Sequence, residues 1–200
     1  MLEEILYDAR MNDVTIEDSQ YDNETVMDVD CTSIEFHSAA FTNCKFTNCL
    51  FEKAYFLNSV FQNCDFSNCK FTDSYWKNSQ IVNCKAQGCH FVDNKFQGSI
   101  VKDSILQYAN CVNAIWDNCT VSDSDFRESF LSEMKIKKTT FDNVNFEKAD
   151  FFNTKLRNVD LSSCQIDGIA VSDTCAELRG AKVEMMQAVE IAKMIGVRVV

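Results

Sequence analysis

The chain has 200 residues, 46% of them apolar, with no proline, only five glycines and a formal net charge of −11. That length accommodates one sizeable domain with its own core. The acidic balance excludes a protein that grips nucleic acid by its phosphates, which needs a basic footprint. No apolar run reaches the eighteen or more residues of a membrane-spanning helix.

The first stretch, "MLEEILYDAR", places Leu2, Ile5, Leu6 and Ala9 at helical spacing. Glu3, Glu4 and Asp8 stand where an export signal would be basic. Residues 1–13 are therefore expected to cap the body of the domain rather than to direct secretion, and a cytoplasmic location is expected. The eleven cysteines are an odd number with no export signal before them, so reduced thiols are expected rather than a disulfide framework.

From residue 14 to 174 one pattern dominates. Stepping by five from Phe41 in both directions gives an uninterrupted frame from Ile16 to Val171, in which no position is charged. Fourteen of the sixteen phenylalanines fall on it. The residue two before each of these positions is a second uncharged one, mostly Cys, Ser, Ala, Thr or Val, with Glu24 the exception. Residues two apart on an extended segment share a face, so each five-residue unit buries one small and one large side chain. The remaining residues turn a corner. Two places after each large residue stands most often Asn, Asp or Gly, the types that tolerate left-handed backbone. Four straight sides and four corners close a square, so residue n stacks on n+20. The reading is an all-β solenoid, a right-handed quadrilateral β-helix of about eight coils, roughly 38 Å long at the usual strand spacing.

The cysteines fit that frame as packing groups. Cys44, Cys64 and Cys84 stack on one wall and Cys49, Cys69 and Cys89 on the next, at a spacing of five rather than the CxxC spacing of zinc sites. His37 and His90 lie off the inward phase, so no pairing of thiol or hydroxyl with imidazole is assembled. Neither an enzyme nor a cofactor or metal site is expected.

After the tower, residues 175–200 change character. From Glu184 the pattern is helical, with Met185, Ala188, Val189, Ala192 and Ile195 on one apolar face and Gly196 placed to end the helix. Val197, Val199 and Val200 read as a short strand. Two readings of this module stand: a simple cap on the tower, or a two-fold dimer contact made by Met185, Met186, Val189, Ala192, Ile195, Val197 and Val199.

The five-residue frame identifies the chain as a member of the pentapeptide-repeat superfamily. Two stretches resemble the Qnr proteins more narrowly: "CKAQGCHF" at 84–91, and the carboxyl end "LRGAKVEMMQAVEIAKMIGVRV" with Gly180, Lys182, Val183, Gln187, Ala188, Gly196, Val197 and Val199. The resemblance implies a rod-shaped homodimer joined through its carboxyl ends. It further implies binding to type II DNA topoisomerases (DNA gyrase, topoisomerase IV) and protection against quinolones by imitation of duplex DNA. Many Qnr proteins carry two projecting loops, and the unbroken frame here leaves room for neither. A scaffold protein with an unrelated partner, and self-immunity to another gyrase poison, remain open alternatives.

Charge qualifies the DNA-mimic reading. Residues 1–35 carry eleven acidic side chains against Arg10 alone, whereas residues 36–200 carry nineteen acidic and eighteen basic ones. Acidic tips and a nearly neutral middle differ from duplex DNA, with a charge every ~1.7 Å of axis. Within the middle, Asp103 and Asp123 stack on one wall and Asp73 and Asp93 on another. They read either as partner-binding stripes or as ordinary corner residues chosen for backbone geometry.

Overall fold

A computed structural model describes residues 1–200. The repeat closes as the spacing requires: Ile16 pairs with Phe36 and Phe41 with Phe61, both in parallel register at an interval of twenty. Two adjacent walls are seven-stranded parallel sheets. One runs from Ile16–Glu17 to Lys135–Lys137 and the other from Gln20–Asp22 to Thr140–Asp142. The third wall has one strand pair, Thr25–Met27 with Lys45–Thr47, and continues as isolated bridges such as Asp65↔Lys85. The fourth consists of bridges alone, among them Lys70↔His90. Seven strands per full sheet make about six complete turns, slightly fewer than the eight coils expected, because the last coil is held only by bridges.

The large inward residues fill the tube, and all of them except Tyr21, Ile136 and Val171 are buried. Their aromatic rings stack along each wall at the coil rise: Phe41–Phe61 centroids lie 4.7 Å apart, Phe51–Phe71 4.9 Å and Phe36–Phe56 5.0 Å. Between walls the same rings meet edge to face, as do Phe41 and Phe46 at 5.8 Å. Both arrangements suit the ring quadrupole better than an eclipsed sandwich.

The small inward residues have a second task. Ser79 Oγ accepts the amide of Ser59 at 3.0 Å and donates to the carbonyl of Phe56 at 3.0 Å, clipping one coil to the coil before it. Ser59, Ser99 and Thr139 repeat this clip on the same wall, and on another Cys84 repeats it through sulfur, accepting the amide of Cys64 and donating to the carbonyl of Phe61. At the corners, every residue from Asp18 to Gly168 in steps of five has a positive φ except Ser163. With only three glycines in that set, Asn and Asp carry the turn, and Asn43, Asn63 and Asn83 link their amides into a column.

Helix α1 (Leu2–Asn12) covers the amino-terminal end, burying Leu2, Leu6 and Ala9. Ile5, which the helical spacing assigns to that face, is instead 43% exposed, because Leu2, Leu6 and Ala9 already fill the face turned to the first coil. At the other end the coil runs on past residue 174. Asp160 pairs with Lys182, an interval of 22, so two extra residues enter the last turn near Ser172–Cys175. Helix α2 (Met185–Met194) comes next, starting with a capping box between Glu184 and Gln187. The strand expected at Val197, Val199 and Val200 does not form, since no other strand of the chain lies beside them to complete a ladder.

Candidate recognition surfaces

No apposition of nucleophile and base appears where the chemistry-bearing residues lie. The eleven thiols are all free and buried, lined along the walls inside the packed rings. Burial pushes the Cys111 thiol up to about 12, far from the thiolate that nucleophiles and metal ligands need. His37 sits outside the tube with Nδ1 3.7 Å from Glu17 and Nε2 3.3 Å from Glu35, away from every cysteine. His90 is exposed on another wall. No group of three His, Cys, Asp or Glu side chains is arranged to hold a metal.

The four aspartates lie on corners and are exposed. Asp103 and Asp123 share the edge between the second and third walls, and Asp73 and Asp93 share the edge between the fourth and first. These edges are half a coil apart and therefore diagonally opposite, so no single flat surface touches both pairs. All four have φ between 49° and 59°, and Asp93 and Asp123 each accept from the Asn of the next coil, Asn113 and Asn143. Their backbone role is plain.

At the carboxyl end, Gln187 is the inward residue of α2, and its Nε2 donates to the carbonyls of Leu161 at 2.8 Å and Cys164 at 2.6 Å. Ile191 packs beside it against the core. With that face turned to the tower, Met185 is 80% exposed, Met186 65% and Ile195 55%, while Val189 and Ala192 are half-buried. Val197 and Val199 are exposed as well. Of the expected interface residues, Met185, Met186, Ile195, Val197 and Val199 are thus left exposed at the carboxyl end, while Val189 and Ala192 are partly covered by the chain itself.

The amino end is acidic. Glu3 and Glu4 on α1 stand above Asp28 and Asp30 of the first coil, with Arg10 3.8 Å from Asp30 as the partner of that carboxylate. The Asp30 carboxyl is held below the usual range chiefly by its bonds to Thr32, with Arg10 adding to the effect.

One surface escaped the sequence reading. Columns spaced by twenty put Lys135 beside Lys155 and Lys137 beside Arg157 on the first wall, with Lys138 at the adjoining corner, and all five are exposed. Charge summed along the chain is nearly neutral in this half, but charge summed around the tube is not. The signal was legible only by reading columns down the wall.

Sequence profiles agree with this architecture. A pentapeptide-repeat region profile matches residues 34–111, and a profile of eight pentapeptide copies matches residues 104–143 and 135–168. The chain belongs to the pentapeptide-repeat family. Among solved structures it is similar to trypsin-treated QnrB1, described as a plasmid-mediated fluoroquinolone resistance protein, with a TM-score of 0.62 and 18% identity over 94% of this chain and 99% of that one. Full-length QnrB1 gives a TM-score of 0.51 and 15% identity over 89% of this chain and 100% of that one. The shared feature is the fold. No curated protein sequence matches the chain significantly.

Proposed function

We propose that this protein is a non-enzymatic ligand of type II DNA topoisomerases, DNA gyrase or topoisomerase IV, which it shields from quinolones as a rod-shaped homodimer. The observation that carries this reading is the end-to-end likeness to QnrB1, taken together with the Qnr-like residues at 84–91 and 180–199. A rod of stacked coils with an uncovered apolar end fits two copies joined through α2. Acidic amino ends then lie at the two tips. Recognition would rest on rod shape and those tips rather than on a uniform anionic surface, because residues 36–200 carry nineteen acidic side chains against eighteen basic ones.

The test is supercoiling by purified gyrase in the presence of a fluoroquinolone. Added protein is expected to restore supercoiling in proportion to its concentration. Absence of any effect on gyrase and on topoisomerase IV would contradict the proposal and favour a scaffold with an unrelated partner, a reading to which the lack of projecting loops lends support.

A further inference from the structure

Between the coil that carries the last strands of the two sheets, Lys135–Lys137 and Thr140–Asp142, and the coil that follows it, the tower is open on two adjacent walls. Elsewhere the amide of a large inward residue bonds the carbonyl nineteen places on, as Phe46 to Asp65 at 2.8 Å, Phe51 to Lys70 at 2.6 Å and Phe126 to Asn145 at 2.8 Å, and past the two extra residues Leu156 and Leu161 bond Glu177 and Lys182, twenty-one places on. The corresponding bonds from Ile136 to Lys155, from Lys138 to Arg157 and from Phe141 to Asp160 are absent. Two side chains bridge the opening instead, with Met134 donating its amide to Thr154 Oγ1 at 2.8 Å and Asn143 donating to Ser163 Oγ at 3.2 Å. Ser163 is also the one corner residue outside the left-handed region, and Ile136 is incompletely buried. On the third and fourth walls the ladder continues through Asn145↔Gln165 and Asp150↔Ala170. The structure therefore holds a seam with free backbone donors at Ile136 and Lys138, flanked by the exposed Lys135, Lys137, Lys138, Lys155 and Arg157. None of these five cations forms an ion pair, although other lysines and Arg127 do. Asp117 and Glu133 are the carboxylates on the first wall of the seam, and Asp142 and Asp160, the latter 3.9 Å from Lys182, are exposed on its second wall.

We infer that this seam is a docking edge for an extended acidic segment of a partner protein. Open strand edges are templates for added strands, and here the edge sits inside a basic patch that selects for carboxylates. The patch spans about two coil steps, roughly 10 Å, and suits a segment of a few residues. The acidic amino end lies about six coil steps away, ~29 Å or some three Debye lengths at physiological salt, so it does not repel such a ligand. A long polyanion, by contrast, would also meet the acidic remainder of the rod. The seam and its cations are independent of any contact with a topoisomerase.

The test uses the full-length protein and a dye-labelled hexapeptide alternating glutamate and valine, followed by fluorescence anisotropy, with amide exchange measured by NMR. Binding is expected at low salt, weakened at least tenfold both by raising the salt and by K135E/K137E/K155E, with the neutral variant K135Q/K137Q/K155Q intermediate. Exchange at Ile136 and Lys138 should slow in the complex. Loss of binding in a variant counts only where its circular dichroism matches the wild type. Failure to bind, indifference to the substitutions, binding without amide protection, or tighter binding of a short DNA duplex would each overturn the inference.

Discussion

Asn63 shows how much each residue type is asked to do. Its φ of 56° is unfavourable for any side chain with a Cβ, but a short amide tolerates it, and its Nδ2 reaches Asn43 Oδ1 at 3.2 Å while its Oδ1 receives Asn83 Nδ2 at 2.8 Å. Asn63→Val places a β-branched residue in the left-handed region and cuts both links, and should cost about 2 kcal/mol in urea unfolding. The inward serines work differently. Ser79→Ala leaves the buried amide of Ser59 and the carbonyl of Phe56 without their partner, an expected loss of about 1–3 kcal/mol. The two tryptophans make a sharper comparison. Trp76 Nε1 donates to Ser74 Oγ at 2.9 Å, whereas Trp116 Nε1 is buried with no acceptor, Ala114 standing where Ser74 stands two coils earlier. Trp116→Phe should therefore cost about 1 kcal/mol less than Trp76→Phe, measured as midpoints of urea unfolding. The inward placement of these residues was legible from the period of five. Their hydrogen bonds were not, because "small" covers Ala, Cys and Ser alike until the coil beneath supplies an amide and a carbonyl.

The elements at the two ends depart most from the repeat, and there the sequence was a weaker guide. A period predicts only where it persists. Helical spacing located α1 and α2, but it placed Ile5 on a buried face, and the valines at 197, 199 and 200 suggested a strand that does not exist. The repeat also carried no mark of the seam, since residues 136 to 161 keep the frame perfectly while the ladder beside them is broken. The last coil closes through Glu177, a buried carboxylate that accepts from the Asn153 amide at 3.0 Å and from the Ser172 hydroxyl and amide at 2.7 and 3.2 Å. Burial alone would push its carboxyl up, but these bonds, the Ser172 hydroxyl first, hold it below the ordinary value. Because the folded pKa lies below the unfolded one, the stabilisation is present above the usual carboxylate range and is lost as pH falls through it. Melting temperature should drop on acidification below about pH 5 in the wild type. Glu177→Gln should melt lower at neutral pH and lose part of that acid dependence. Equal slopes for the two proteins would rule out the Glu177 closure as a source of acid sensitivity.

At the scale of the molecule, shape and charge are separable. The fold was legible almost entirely, because one period of five held over most of the chain admits no helix and no ordinary sheet. The recognition surfaces were legible only in part. Asp73, Asp93, Asp103 and Asp123 stand out in the sequence as stacked pairs, yet their division between diagonally opposite edges and the basic first wall follow from the cross-section, which a linear count of charge does not see. The uncovered apolar end makes a quantitative prediction. Ile195→Asp, which puts a charge at the exposed apolar carboxyl end of α2, should convert a species sedimenting as twice the 22.8 kDa chain mass into one sedimenting as a single chain, with circular dichroism unchanged. Reversal of Asp103 and Asp123 to Lys should weaken gyrase binding if that edge faces the enzyme, and undiminished binding would remove it from the contact. The most direct measurement is the amount of DNA that purified gyrase leaves cleaved in the presence of a fluoroquinolone, as a function of added protein. A dose-dependent fall in cleaved DNA is expected. A constant level up to concentrations well above that of gyrase, repeated with topoisomerase IV, would contradict the protective role assigned to this rod.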